Sequence, residues 1–101
     1  MIVKVGFDYE DDIEYMICPA KVGRNINRFQ EEFWDWLFDR KNQHPYWEIH
    51  YQDEEGNPVY GVSYRTDAFI YWLNKVKYHK GKNVARLIAV PKTPPKKTIR
   101  F

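Results

Sequence analysis

An α+β fold of order ββα-ββα-β is predicted for this chain by three features of its sequence. Two apolar segments recur with helical period, four short runs alternate apolar and polar side chains in pairs, and an acidic turn separates the members of each pair. The architecture that satisfies them is a mostly antiparallel sheet with two helices packed on one face.

The first pair runs from Ile2 to Tyr9, with Val3, Val5, Phe7 and Tyr9 on one side, and through Ile13, Tyr15 and Ile17 to a stop at Pro19. Asp8 to Asp12 makes the turn, so the pair reads as a β-hairpin. Lys21 to Arg24, with Gly23, is a loop into the first helix, Ile26 to Arg40. There Ile26, Phe29, Phe33, Trp36 and Leu37 share an arc of about 100°, the width of a core-facing stripe. Glu31, Glu32, Asp35 and Asp39 lie opposite, Asn25 or Asn27 is the expected N-cap, and Asn42 with Pro45 should stop the helix. Trp34 and Phe38 sit on a flank outside the stripe and widen the apolar arc to roughly 200°.

The second pair is Tyr46 to Tyr51 and Val59 to Tyr64, joined by the turn Asp53 to Pro58, and it reads as a second hairpin. Thr66 or Asp67 should cap a helix from Asp67 to His79 that Gly81 ends. Its core stripe is Phe69, Trp72, Leu73 and Val76, while Tyr71, Lys75 and Tyr78 face away. Val84 to Val90 reads as one more strand. Residues 1–90 thus form one domain, and residues 91–101 a basic, Pro-rich tail whose end, Thr98 to Phe101, has the composition to pair with an edge strand. Both helices carry Phe-x-x-Trp-Leu, at Phe33-Trp36-Leu37 and Phe69-Trp72-Leu73. A pseudo-repeat is one explanation; two amphipathic helices packing on one sheet explain the match as well. If the first strand were only a lead-in, the remaining order would be the βαββαβ of a ferredoxin-like fold.

Composition bounds the function. The chain has 101 residues, enough for one modest core, and 18% of them are aromatic: four Trp, eight Tyr and six Phe. Such residues fill cores and also dominate binding surfaces. A net charge of +2, from 16 basic and 14 acidic residues, names no partner. The single Cys18 excludes an internal disulfide and suits a reducing compartment. No run is long and apolar enough for a membrane span, and the start lacks a signal-peptide pattern, so a cytoplasmic location is expected.

Catalytic and metal signals are weak. His44, His50 and His79 lack metal-ligand spacing and read as surface or strand-edge residues. Asp8, Glu10 and Asp12 mimic the start of a calcium loop, but Ile13 stands where Gly is required and Pro19 where a bidentate Glu is required. Glu31, Asp35 and Asp39 read as a solvated helix face. Ser63 and Cys18 lie in strands without a nucleophile motif, and no Gly-rich phosphate loop occurs. The expectation is a non-enzymatic module without metal, cofactor or small-molecule ligand.

Two binding classes follow. The protein-binding reading rests on Trp34 and Phe38, with the outward Tyr71 and Tyr78, as an aromatic surface for another protein or a second copy of the chain. Trp34 and Phe38 would instead be core if the N-terminal hairpin or the tail covered them. Small aromatic-rich domains without catalytic machinery also fit the profile of phage or mobile-element inhibitors of host proteins. The nucleic-acid reading rests on charge. Lys75, Lys80, Lys82, Arg86, Lys96 and Lys97 crowd the C-terminal third, whereas Asp and Glu fall mostly before Asp67. Tyr60 and Tyr64 share a strand face that would stack bases on an open sheet. Their segment lacks the front basic residue and Gly of an RNA-recognition strand, and has Val62 where an aromatic is required.

Overall fold

The computed structural model describes residues 1–78 and 83–101. The first hairpin consists of β1 (Ile2–Gly6) and β2 (Ile13–Ile17), paired antiparallel with Val3 opposite Met16 and Val5 opposite Glu14. This register turns Val3, Val5 and Met16 to one face, and all three are fully buried. Phe7 continues the buried side, while Tyr9 stands in the turn, 75% exposed. Ile2, Ile13, Tyr15 and Ile17 lie on the opposite face, half-buried. The inward phase of this second run therefore belongs to Met16, and buried Cys18 follows the strand.

A single helical turn, α1 (Ala20–Gly23), leads into α2 (Ile26–Phe38). Ile26, Phe29, Phe33 and Leu37 are buried as their spacing requires, and Trp36 is half-buried. Asn25 holds the N-cap position, but its side chain donates to the Lys21 carbonyl (2.8 Å) rather than capping α2. The helix stops as expected, and the reason is visible. Asn42 Nδ2 donates to the Trp36 carbonyl (2.9 Å), and the Leu37 carbonyl lies 2.8 Å from His44 Nε2. Two of the four carbonyls orphaned at the helix end are satisfied in this way.

β3 (Trp47–Gln52) and β4 (Pro58–Val62) form the second hairpin. They make a two-stranded sheet of their own instead of joining the first hairpin. The helix that follows, α3 (Thr66–Trp72), starts with Arg65 at its N-cap position, so neither Thr66 nor Asp67 caps it. Thr66 is buried, its hydroxyl without a partner among the described residues. α3 runs into a π-helical turn, Leu73–Lys77, closed by the Tyr78 N–H donating to the Leu73 carbonyl (2.9 Å). The wider turn changes the helical phase. Phe69, Trp72 and Leu73 are buried as expected, but Val76 is rotated out to 38% exposure and Asn74 is turned in. Asn74 Oδ1 accepts from the N–H groups of Val84 (2.7 Å) and Ala85 (2.9 Å), and its Nδ2 donates to the Ala85 carbonyl (2.9 Å). These bonds pin the chain as it enters β5 (Arg86–Ile88), shorter than the Val84 to Val90 run. The expected helix end, His79 and Gly81, lies outside the described residues.

The Pro-rich segment 91–96 carries no strand, but β6 (Lys97–Arg100) pairs parallel with β1, Ile99 beside Val5. The main sheet thus has the order β5-β2-β1-β6. Ile99 is buried, and the Phe101 N–H donates to the Gly6 carbonyl (2.9 Å). The ββα-ββα-β order holds, with a mostly antiparallel sheet, a separate second hairpin and a sixth strand at the C-terminus. A βαββαβ arrangement does not describe it.

Phe33 is the hub of the aromatic core. Its ring centroid lies 5.3 Å from Phe69, 5.7 Å from Tyr64, 5.8 Å from Phe101 and 6.0 Å from Trp72. At the surface, Arg65 grips Asp12 with two 2.6 Å hydrogen bonds, reaches Glu14 at 3.3 Å and stacks over Phe7. It ties the first hairpin to the start of α3.

Candidate functional site

The molecule is elongated, 52 × 34 × 20 Å, with a radius of gyration of 15.2 Å against about 13 Å for an ordinary domain of this length. The β3–β4 hairpin forms a sheet of its own. None of its strand residues is buried, and beyond each other its strands touch the other elements only lightly. A two-stranded hairpin is marginal in water by itself. Its root must hold it, and beyond Trp47 and Val62 most of its residues are exposed.

The root is built on His44. Its ring is stacked on Trp47 at 5.2 Å and lies 4.6 Å from Trp36. His44 Nδ1 accepts from the Tyr46 N–H (3.2 Å), so the proton sits on Nε2, which donates to the Leu37 carbonyl. Trp47 Nε1 donates to the Asn42 carbonyl (2.8 Å), and the Ser63 N–H donates to the Tyr46 carbonyl (3.0 Å). His44 is therefore a buried strut between the end of α2 and the hairpin, not the surface residue its lone position suggests.

Beyond the root the ribbon has two distinct faces. Trp47 stands opposite Val62 and Ile49 opposite Tyr60, which puts all four on one face. Ile49 is 56% exposed and Tyr60 49%. On the other face the exposed His50 imidazole lies over Gly61, in the space a Cβ there would take, so a larger residue would displace the ring. The register slips between Ile49 and Tyr51, leaving His50 as a bulge. At the tip Gly56 turns the chain with φ +82°, and Asp53 accepts from the N–H groups of Glu55 (3.0 Å) and Asn57 (2.8 Å). Glu54 and Glu55 are left exposed beside it. At the opposite end of the ribbon, Arg40, Asn42, Gln43, Trp47 and Tyr60 line an open groove of about 380 Å³.

The four residues expected to bind protein have different surroundings. Trp34 is half-buried, donating from Nε1 to the Tyr64 hydroxyl (3.1 Å) and meeting the Phe101 ring edge-on at 5.9 Å. The C-terminus covers it. Phe38, one turn on, is 56% exposed. Tyr71 is 39% exposed and packs on Trp36 and Tyr46, close to the hairpin root. Tyr78 is half-buried against Phe29, under Lys21.

The expected nucleic-acid residues are dispersed. Arg86 lies on β5 and Lys97 on β6, at opposite edges of the sheet and about 14 Å apart by strand spacing. Lys75 and Lys96 are exposed, and Lys80 and Lys82 fall outside the described residues. Tyr60 is on the hairpin, whereas Tyr64 is turned into the cluster around Phe33, so the two do not share a stacking platform. The hairpin residues Trp47 and Ile49 were the missed signal. Their alternation was legible, but not the absence of a layer beneath them.

Catalytic geometry does not assemble around the residues tested from sequence. Among the described residues no three His, Cys, Asp or Glu side chains converge as metal ligands. Asp12, of the calcium-like run, is committed to Arg65, and Glu31, Asp35 and Asp39 are exposed. Cys18 borders a second cavity of about 290 Å³ with Ile17, Val84 and Arg86, and burial pushes its thiol up, away from the nucleophilic thiolate. No helix among the described residues is long and apolar enough to cross a membrane. Comparison with protein-family models, with curated proteins and with solved structures gave no match.

Proposed function

We propose that this chain is a non-enzymatic protein-binding module that presents the β3–β4 hairpin to its partner. The observation that carries the reading is the division of the strands: among the described residues four form the sheet that lines the core, while β3 and β4 have no fully buried residue and leave Ile49, Tyr51 and Tyr60 exposed, with Val62 alone packed on the core. An exposed aromatic ribbon held by a rigid root offers contact area at little entropic cost. Tyr71, packed on Tyr46, extends the apolar surface at the root. The partner class is a protein surface: a second copy of the chain, or a host protein of the kind bound by small phage or mobile-element inhibitors.

Capture from a native-host lysate tests this, with wild type beside an Ile49→Asp/Tyr60→Ser variant and with and without nuclease. Partners that survive nuclease and are lost with the variant support the reading. Equal capture by both proteins sinks it. Loss of every partner on nuclease treatment would favour nucleic acid instead, a second reading supported by the nine Lys and Arg residues after Ala68, a stretch without a single Asp or Glu.

A further inference from the structure

We infer that the hairpin docks on a second copy of this chain, face to face and antiparallel, so that the acidic tip of each ribbon meets Arg40 and Lys41 beside the groove at the root of the other. The inference rests on the reading of the hairpin as the contact surface and names its occupant.

Three observations lead to it. The first is charge. Glu54 and Glu55 stand at one end of the ribbon and Arg40 and Lys41 at the other, all four exposed; of the acids near that root, Asp39 accepts from the Lys41 N–H and Glu48 lies 3.4 Å from His50 on the opposite face. Among the described residues none of those four has an ion-pair partner within 4.0 Å. A two-fold axis crossing the ribbon near His50 places each tip against the opposite root. The span from Trp47 to Glu54 is about 24 Å along a strand, with the axis near its middle. Ions matched across an interface in this way fix register and orientation.

The second is the choice between edge and face. Among the described residues both outer edges of the hairpin are unpaired, but β3 is interrupted by the His50 bulge and β4 begins at Pro58, which has no N–H to give. Both features discourage strand addition. The face carrying Trp47, Ile49 and Tyr60 is intact and apolar, and it runs into the groove. A two-fold contact needs one self-complementary patch, and this ribbon supplies an apolar centre with opposite charges at its two ends.

The third is area. A ribbon about 20 Å long and about 10 Å wide is too small for a tight dimer. Seating the tip in the groove of about 380 Å³ extends the contact at both ends. The expected product is a weak dimer with a Kd in the micromolar range, below the standard interface class.

Sedimentation velocity of the full chain tests it from roughly 1 to 500 μM, a range that brackets micromolar affinity. Wild type should move from its 12.3 kDa monomer to twice that mass as concentration rises. Glu54→Lys/Glu55→Lys and Arg40→Glu/Lys41→Glu should each weaken self-association by at least about tenfold through like-charge contact. Mixing these two variants should restore the dimer as a heterodimer, since every tip then meets a root of opposite sign. Ile49→Asp should give a monomer with unchanged circular dichroism. A wild type that stays monomeric throughout overturns the proposal. So does a dimer that survives both charge reversals, or a mixture that fails to recover. Lysate capture distinguishes this from failure of the hairpin reading: a monomeric wild type that still loses its partners with Ile49→Asp/Tyr60→Ser leaves that reading standing.

Discussion

The two hairpins of this protein are built by the same local code and end in opposite environments. β1 and β2 enclose Val3, Val5 and Met16 completely, whereas β3 and β4 bury none of their residues. Alternation and turn chemistry specify a strand pair in both cases. What separates them is the covering layer: α2 and α3 close over the first hairpin and its flanking strands β5 and β6, and reach the second only at half-buried Val62.

The sharpest way to break this contrast is to attack the covered side. Phe33 is fully buried and meets five other aromatic side chains edge-on or tilted, Trp36 included. Phe33→Ala should cost about 3–5 kcal/mol, a large share of the stability of a small domain. Chemical denaturation should show the midpoint collapsing; an unchanged midpoint would mean that Phe33 is not the hub.

His44 tests how the two regions are joined. His44→Ala strands the Leu37 carbonyl and the Tyr46 N–H and removes the ring that stacks on Trp47. The expected cost is about 1–3 kcal/mol, concentrated in the hairpin. Hydrogen exchange should accelerate in 46–52 and 58–63 while the amides of β1 and β2 keep their protection. Uniform acceleration across both sheets would show that the hairpin and the main sheet unfold as one unit.

Acid should weaken the covered side. Hydrogen bonds from Arg65 hold the Asp12 carboxyl below the ordinary carboxylate range, with the Arg65 charge adding to the effect against partial desolvation. A carboxyl group with its pKa lowered on folding stabilises the native state above its unfolded value of about 4, and the gain is lost as pH falls through the folded value. Wild type and Asp12→Asn should therefore differ in denaturation midpoint at pH 6 and converge towards pH 2. A gap that persists at pH 2 would assign the loss to packing rather than to the ion pair.

The elements of the fold and most of its core were legible in the sequence, and the failures are physical. The shared Phe-x-x-Trp-Leu pattern put Phe33, Leu37, Phe69, Trp72 and Leu73 in the core, because period alone decides which side of a helix is covered. Val76 escaped because the π-helical turn at Leu73–Lys77 breaks that period, and nothing in the local composition announces it. Trp34 lay on the flank by angle, but Phe101 reaches it across sixty-seven residues, a contact no local pattern contains. The separation of the hairpin was hidden for the same reason. Trp47, Ile49 and Tyr60 alternate just as core strand residues do, and only the tertiary layout shows that no helix covers them.

The smallest expected effect is the most informative about the hairpin. Ile49 and Tyr60 are apolar and aromatic, in mid-strand and directly opposite each other, a position where truncation in a covered sheet would cost several kcal/mol. Here both are about half exposed, and their replacement by Ser removes a cross-strand pair worth roughly 0.2–1 kcal/mol. A double Ile49→Ser/Tyr60→Ser variant should thus keep the denaturation midpoint of wild type to within about that amount when measured at low micromolar protein. At higher concentration the two should diverge, because mass action adds the free energy of self-association to wild type alone. A gap that grows with concentration ties the apolar face to dimerisation. One that is large at every concentration would mean that the face is already covered within the monomer, and the contrast between the two hairpins would fall with it.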